Sequence, residues 1–311
     1  MWRYLWARST AICLFSLGFF NSAVPEAIAE SVAEKIARTG VLTAGTSKDA
    51  LPFAYRNDRG ELVGYSVDIL ELITQQLETE YGRSIELELV ALEPKARIPQ
   101  LIAGEVDIVC DASSFTWKRD RQVDFSFSYS SAGTRLLTAK GNDYWDAESL
   151  SDLRIGALAK TTNEKTIRRI QPEAEIVIVE DRAAGFEALR KGEIDAFASD
   201  GILLESWLQT EGDRQKWQIV GDFSREGIAC MMPENNSQLM NVVNYSLIEF
   251  MQGLLEDEPE YVAIYERWFG AQGVLPLTQD LSNIMLDNMQ LLIDFKDRID
   301  ATPNSSVNSL E

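Results

Sequence analysis

Leu101-Ile102-Ala103-Gly104-Glu105-Val106-Asp107-Ile108-Val109 returns further along the chain as Leu189-Arg190-Lys191-Gly192-Glu193-Ile194-Asp195-Ala196-Phe197. Each copy reads as the end of a helix, a glycine cap, a tight turn and a buried strand. Two such joints in one chain predict two related α/β units. Outward from the first copy, Val41–Gly45 reads as a buried strand, and Val67–Leu77 carries a helical apolar face with Asp68 and Glu71 in its early turns. Ile85–Val90 alternates like a strand, Arg97–Ala103 reads as a helix and Val106–Cys110 as the next strand. This strand-helix-strand rhythm predicts an α/β fold with largely parallel sheets.

The ends of the chain read differently. Arg3 and Arg8 precede the short apolar run Ala11–Phe20, and Ala27-Ile28-Ala29 offers a small-x-small cleavage pattern. Residues 1–29 are therefore expected to be a secretory signal peptide, with a mature chain starting near Glu30. The apolar run is shorter than the roughly 20 residues a spanning helix needs. Cys13 lies inside that run rather than after it, which favours a soluble product over a lipid-anchored one. Gly270–Pro276 reads as a linker. Leu281–Ile299 reads as an amphipathic helix with Leu281, Ile284, Met285, Met289, Leu292, Ile293 and Phe295 on its apolar side, packed on the protein's own surface. Ala301–Glu311 is polar and is expected to be a disordered tail.

Composition narrows the function. The 311 residues carry 49 acidic and 29 basic side chains, a formal charge of -20, which argues against nucleic acid or an anionic membrane as partner. Histidine is absent. Ser-His-Asp and Cys-His nucleophilic systems are excluded, as are metal sites that need imidazole, and no cofactor or metal site is expected. Of three cysteines, Cys110 and Cys230 would survive export. An even pair in an oxidising compartment reads as a disulfide, with two buried free thiols as the alternative.

In open α/β sheets ligands sit beyond the carboxyl ends of strands. After Cys110 come Asp111-Ala112-Ser113-Ser114-Phe115-Thr116-Trp117-Lys118-Arg119. Small residues let backbone N–H groups approach a ligand, and the Arg119 fork suits a carboxylate; a solvated surface loop is the plainer reading. Asp200, at the end of the second echo strand, either caps the helix Gly201–Leu208 or accepts an ammonium group. Thr161-Thr162-Asn163-Glu164 reads as a capping box whose N–H groups also suit a carboxylate.

Several ordered motifs carry a family resemblance. They are Gly60–Asp68, Arg97-Ile98-Pro99, Cys110–Arg119 followed by Val123–Ser126, Gly133–Thr138, Trp217–Gly221, Cys230-Met231 and Arg267-Trp268-Phe269. Over roughly residues 32–290 the chain resembles the type II periplasmic solute-binding proteins of polar amino-acid ABC transporters, and is most similar to the glutamate/aspartate-binding branch. The resemblance implies two Rossmann-like lobes with central sheets, joined by a two-segment hinge, plus a C-terminal helix. Lobe one would take residues 30–136 and 227–270, lobe two 137–226, and the linker and helix 271–300. It implies a Cys110–Cys230 disulfide, with Arg119 on the ligand α-carboxylate, helped by Ser114 and the backbone near Ala112. Thr161 and Thr162 would close from the second lobe, and Asp200 would take the α-ammonium. Arg97 and Arg182 would bring positive charge.

Three departures from that branch bear on the ligand. Ser47, beside Lys48, stands where the branch has an arginine; Ala112 and Pro94 each replace a serine. A side-chain carboxylate would then rely on Arg97, Arg182 or Lys48, so an acidic ligand comes first and an amide or broader neutral set next. The expectation is a monomeric, periplasmic binding subunit that serves an inner-membrane permease and performs no chemistry. A dehydratase on the same fold, using Glu164 or Glu205 as acid, and a sensory module are the alternatives.

Overall fold

The computed structural model describes residues 30–296; the leader read over 1–29 and the tail read over 301–311 lie outside the described residues. The chain opens with α1 (Val32–Thr39), whose capping box pairs Ser31 with Glu34. Then follow β1 (Val41–Thr46), β2 (Asp49–Ala50), β3 (Ala54–Arg56), β4 (Leu62–Val63), α2 (Tyr65–Tyr81), β5 (Glu86–Ala91), α3 (Arg97–Ile102), β6 (Ile108–Val109) and β7 (Asp124–Ala132). Next come β8 (Thr134–Ala139), β9 (Arg154–Leu158), α4 (Thr162–Ile170), β10 (Glu175–Val179), α5 (Arg182–Lys191), β11 (Ala196–Asp200), α6 (Gly201–Thr210) and β12 (Trp217–Val220). The chain then returns through β13 (Glu226–Met232) to α7 (Ser237–Leu255), α8 (Pro259–Phe269) and α9 (Gln279–Lys296).

Two five-stranded sheets follow one plan. The first runs β5-β1-β6-β13-β7 and the second β10-β9-β11-β8-β12. In each, the first three strands are parallel and the last two antiparallel to their neighbours. The fourth place is filled by the strand the chain forms on arriving from the other sheet, β13 in one and β8 in the other. The crossings fall at Gly133 and between Val220 and Glu226. Thr134–Leu136 therefore belong to the second sheet, and the first crossing lies slightly earlier than the boundary expected after residue 136. At Gly133 the two crossing segments touch, because a Cβ there would overlap the Ser224 carbonyl oxygen.

The sequence echo has a common structural meaning. Both copies close a helix on a left-handed glycine, Gly104 at φ 69° and Gly192 at φ 71°, and feed the central parallel strand. The repeated aspartate does the same work twice. Asp107 accepts the Thr43 N–H at 3.0 Å and pairs with Lys35, while Asp195 accepts the Arg154 N–H at 2.9 Å and pairs with the Arg154 side chain. Each stitches the start of the third strand in the sheet order to the second.

The strand expected over Val106–Cys110 narrows to β6. Its ladder is extended by single bonds from Asp107 N–H to Thr43 and from Cys110 N–H to Gly45. Cys110 and Cys230 are disulfide-bonded with Cα atoms 4.3 Å apart, joining neighbouring strands of the first sheet. The first lobe is built on a large core that includes Leu42, Ile69, Ile73, Tyr129 and Phe250, and the second sheet buries an apolar layer on each face. On α9 the buried side is narrower than its hydrophobicity suggested. Met285, Met289 and Ile293 join the first core, whereas Leu281, Ile284 and Phe295 are exposed.

Candidate functional site

The loop after β6 runs alongside β13 rather than into solvent. Phe115 N–H bonds the Gly227 carbonyl at 2.9 Å and Ala229 N–H bonds Ser113 at 3.1 Å, so Ala112, Ser113 and Ser114 are buried. This holds Arg119 against the mouth of the second lobe. Its Nη1 donates to the Ser114 carbonyl at 2.8 Å and its Nη2 to the Lys160 carbonyl at 3.4 Å. The Arg119 guanidinium has no carboxylate partner within ion-pair distance among the described residues. Burial, then the nearby Arg97, lower its pKa, against the pull of Asp111, Glu226 and Asp200.

Arg97 is held in a buried polar cluster. Its Nε lies 2.6 Å from Asp111 Oδ2, Nη2 donates to Ser47 at 2.8 Å and Nη1 to Ser113 at 3.2 Å. Asp111 also accepts from Ser47 at 3.1 Å and from Ser113 at close range. Arg182, the first residue of α5, crosses between lobes to Asp49 at 2.5 Å. Lys48 pairs with Glu93 at 2.7 Å. Each cation proposed for a ligand side chain thus has an acidic partner of its own.

From the second lobe, Thr162 places its hydroxyl 3.3 Å from that of Ser114. The Thr161 hydroxyl caps α4, accepting from Glu164 N–H at 3.2 Å and donating to the Leu158 carbonyl at 2.7 Å. Its side chain is therefore occupied by the helix. Glu164 accepts from Lys160 N–H at 2.7 Å and pairs with Arg168, and Glu205 pairs with Arg214.

Asp200 stands at the N-terminus of α6 but makes no side-chain cap bond. It is only 3% exposed, and its Oδ1 has no hydrogen-bond partner among the described residues. Burial first, then the Glu226 charge, push its pKa up to about 6, opposed by Arg182, the nearby Asn163 side chain and Arg97. These couplings put Asp200, Arg97, Arg119, Arg182 and Glu226 in one electrostatic neighbourhood between the sheets.

Sequence reasoning had singled out Arg97, Arg119, Ser114, Thr162, Arg182 and Asp200 but missed Asp49, Asp111, Asn163 and Glu226. Asp111 was visible beside Cys110 in the quoted loop. Glu226 carries no signal, lying between Arg225 and Gly227 where an acid at the start of a strand is unremarkable.

Comparison with known proteins finds relatives that share this fold. The family profile described as "Bacterial extracellular solute-binding proteins, family 3" matches residues 42–271. The chain is 27% identical over 282 residues to the glutamate/aspartate import solute-binding protein of Escherichia coli (strain K12), covering 89% of this chain and 91% of that one. It is 28% identical over 227 residues to an ABC transporter glutamine-binding protein of Bacillus subtilis (strain 168), covering 72% and 79%. Among solved structures, an ancestral arginine-binding protein bound to glutamine superposes with a TM-score of 0.66 at 27% identity, covering 74% of this chain and 98% of that one. Among the described residues, no helix is long and apolar enough to cross a membrane.

Proposed function

The chain belongs to the family 3 bacterial extracellular solute-binding proteins, and from that premise we propose that it is the substrate-binding subunit of an amino-acid ABC transporter. It captures an acidic or polar L-amino acid between its lobes and hands it, unchanged, to an inner-membrane permease. One observation carries the reading: Arg119, a guanidinium without a carboxylate partner among the described residues, and Asp200, a buried carboxylate with an orphan oxygen, come from opposite lobes and act on each other electrostatically. A zwitterion offers the carboxylate that Arg119 lacks and the ammonium that Asp200 lacks. Ser114 and Thr162, already within reach of each other, complete the grip as the hinge at Gly133 closes.

The magnitudes suffice. Charge-assisted hydrogen bonds contribute ~1.5 to 3 kcal/mol each, so three or four of them reach the roughly -8 kcal/mol of micromolar binding after ordering costs. The glutamate/aspartate-binding relatives favour an acidic ligand. The pairing of Arg97 with Asp111 favours the uncharged polar end of the same range, because Arg97, Arg182 and Lys48 each already hold a carboxylate. An enzymatic role on this fold would need a positioned acid, and Glu164 and Glu205 are both committed to salt bridges. Periplasmic residence as a soluble monomer fits the leader-like N-terminus and the Cys110–Cys230 bond.

A thermal-shift screen of ligand-stripped mature protein against the common L-amino acids tests the proposal, since a ligand specific to the folded form raises the melting temperature. Stabilisation by at least one acidic or amide amino acid, with the ligand recovered intact by chromatography, is expected. No shift with any amino acid, or conversion of the added compound, contradicts it.

A further inference from the structure

Glu226 opens β13, and one oxygen of its carboxyl group is engaged at the hinge. Its Oε1 accepts the Ser224 hydroxyl at 2.8 Å. The Ser224 oxygen in turn accepts the Thr134 N–H at 3.0 Å and lies 2.9 Å from Thr134 Oγ1. Thr134 stands directly opposite Asp200 in the antiparallel ladder of β8 and β11. Directly opposed residues present their side chains on the same face of a sheet, with Cβ atoms about 4.5 to 5.5 Å apart. Ser224 and Thr134 therefore tie the Glu226 carboxyl to the face of the second sheet that bears Asp200. On the other side of Glu226, Gly227 accepts the Phe115 N–H and Ile228 bridges Ser114, whose carbonyl holds Arg119.

The second oxygen of Glu226, Oε2, is buried without a hydrogen-bond partner among the described residues, as is Asp200 Oδ1. The buried cations do not make up the deficit. Arg97 and Arg182 pair with Asp111 and Asp49, and the Arg119 guanidinium donates to two carbonyls. We propose that Glu226 Oε2 accepts the ammonium group of the bound amino acid together with Asp200, so that the amino end of the ligand bridges the two lobes. This rests on the reading of Asp200 as the ammonium acceptor. A primary ammonium carries three N–H donors, enough for both carboxyls with one to spare, and its charge offsets their mutual repulsion. Ser224 fixes Oε1, which aims Oε2 before the ligand arrives. The closeness of the two carboxyls also agrees with the Glu226 charge raising the pKa of Asp200. A ligand class follows. An α-amino acid with a free amine is held, whereas the same acid without its amine leaves both carboxyls unpaired and is rejected.

Calorimetric titration of ligand-stripped wild type and Glu226→Gln with L-glutamate, L-aspartate, L-glutamine and L-asparagine in turn tests this. In Glu226→Gln the amide oxygen still accepts from Ser224, so the hinge contact is kept while an amide N–H stands where the second acceptor was. The best wild-type ligand should bind the variant at least about tenfold more weakly. The deaminated counterparts, glutarate, succinate, glutaramate and succinamate, should not displace that ligand from wild type. Unchanged affinity in Glu226→Gln overturns the role of Glu226 and leaves the reading of Asp200 standing, and so does effective displacement by a deaminated acid in wild type count against both carboxyls as ammonium acceptors. If none of the four amino acids binds wild type, the reading of the site fails and the proposal with it. Should the variant not fold, the crystal structure of the wild-type complex decides: Oε2 within hydrogen-bond distance of the ligand nitrogen upholds the proposal, and Oε2 turned to any other donor overturns it.

Discussion

Arg97 and Asp111 form an ion pair of 2.6 Å with side chains 5% and 0% exposed, so the most deeply buried cation of the cleft is neutralised from within its own lobe. Ser47 and Ser113 bond to both members and fix the pair in place. On the proposed reading, the charge left to meet a ligand is that of Arg119 and Asp200, which suits a zwitterion with an uncharged polar side chain.

Asp111→Asn keeps the shape of the pair and removes its negative charge. Arg97 is then an uncompensated buried cation, which costs about 3 kcal/mol of stability and offers a partner to a ligand carboxylate. Urea denaturation should show the loss, and calorimetry should show the glutamate-to-glutamine affinity ratio rising at least about tenfold.

Asp200 is kept at the expense of stability. Its folded pKa of about 6 exceeds the ordinary carboxylate value, so at neutral pH its charge costs more in the folded, ligand-stripped protein than in the unfolded chain. The cost is present above pH 6 and is relieved as pH falls from there toward 4, where the folded carboxyl protonates first. Asp200→Asn should therefore stabilise the stripped protein by about 1 to 3 kcal/mol at pH 7.5 while abolishing amino-acid binding, and the gain should shrink by pH 5. Urea midpoints at the two pH values measure it.

Asp49 and Arg182 tie the lobes together at the cleft mouth, 2.5 Å apart. Asp49→Ala leaves Arg182 without its counter-charge and weakens closure. Affinity should fall by about 1 to 2 kcal/mol, chiefly through faster ligand release. Stopped-flow dissociation rates and small-angle scattering of the saturated protein would report the loosened closed form.

The Cys110–Cys230 bond closes a segment with a sequence separation of 120 and ties together the two parts of the first sheet. Replacing both cysteines by serine should lower stability by about 2 to 5 kcal/mol, with ligand affinity little changed under conditions where the variant stays folded.

Much of this was legible in the amino-acid order because it follows local rules. The echo around Gly104 and Gly192 located the central parallel strand of each sheet, since a left-handed helix cap before an apolar run has few other uses. Arg119 and Asp200 stood out as candidates because the loop after β6 and the end of β11 lie at the carboxyl ends of buried strands, and the family resemblance supplied their roles. What escaped depends on distant partners. The Asp111 charge matters through Arg97, and Glu226 accepts from Ser224, which meets Thr134 of the other crossing segment; no periodicity encodes such pairings. On α9 the hydrophobic count overstated the buried face, because width is set by what α7 and β7 leave uncovered.

The central claim is that Arg119 holds the carboxylate of an amino acid whose ammonium meets Asp200. Calorimetric titration of ligand-stripped Arg119→Ala against wild type, with whichever amino acid stabilises the protein most, examines it directly. The account predicts a loss of about 2 to 5 kcal/mol, because the carboxylate would lie unpaired in a closed cleft, with the far-ultraviolet spectrum unchanged. A loss below about 0.5 kcal/mol would contradict it, since that is the scale of a solvated surface arginine.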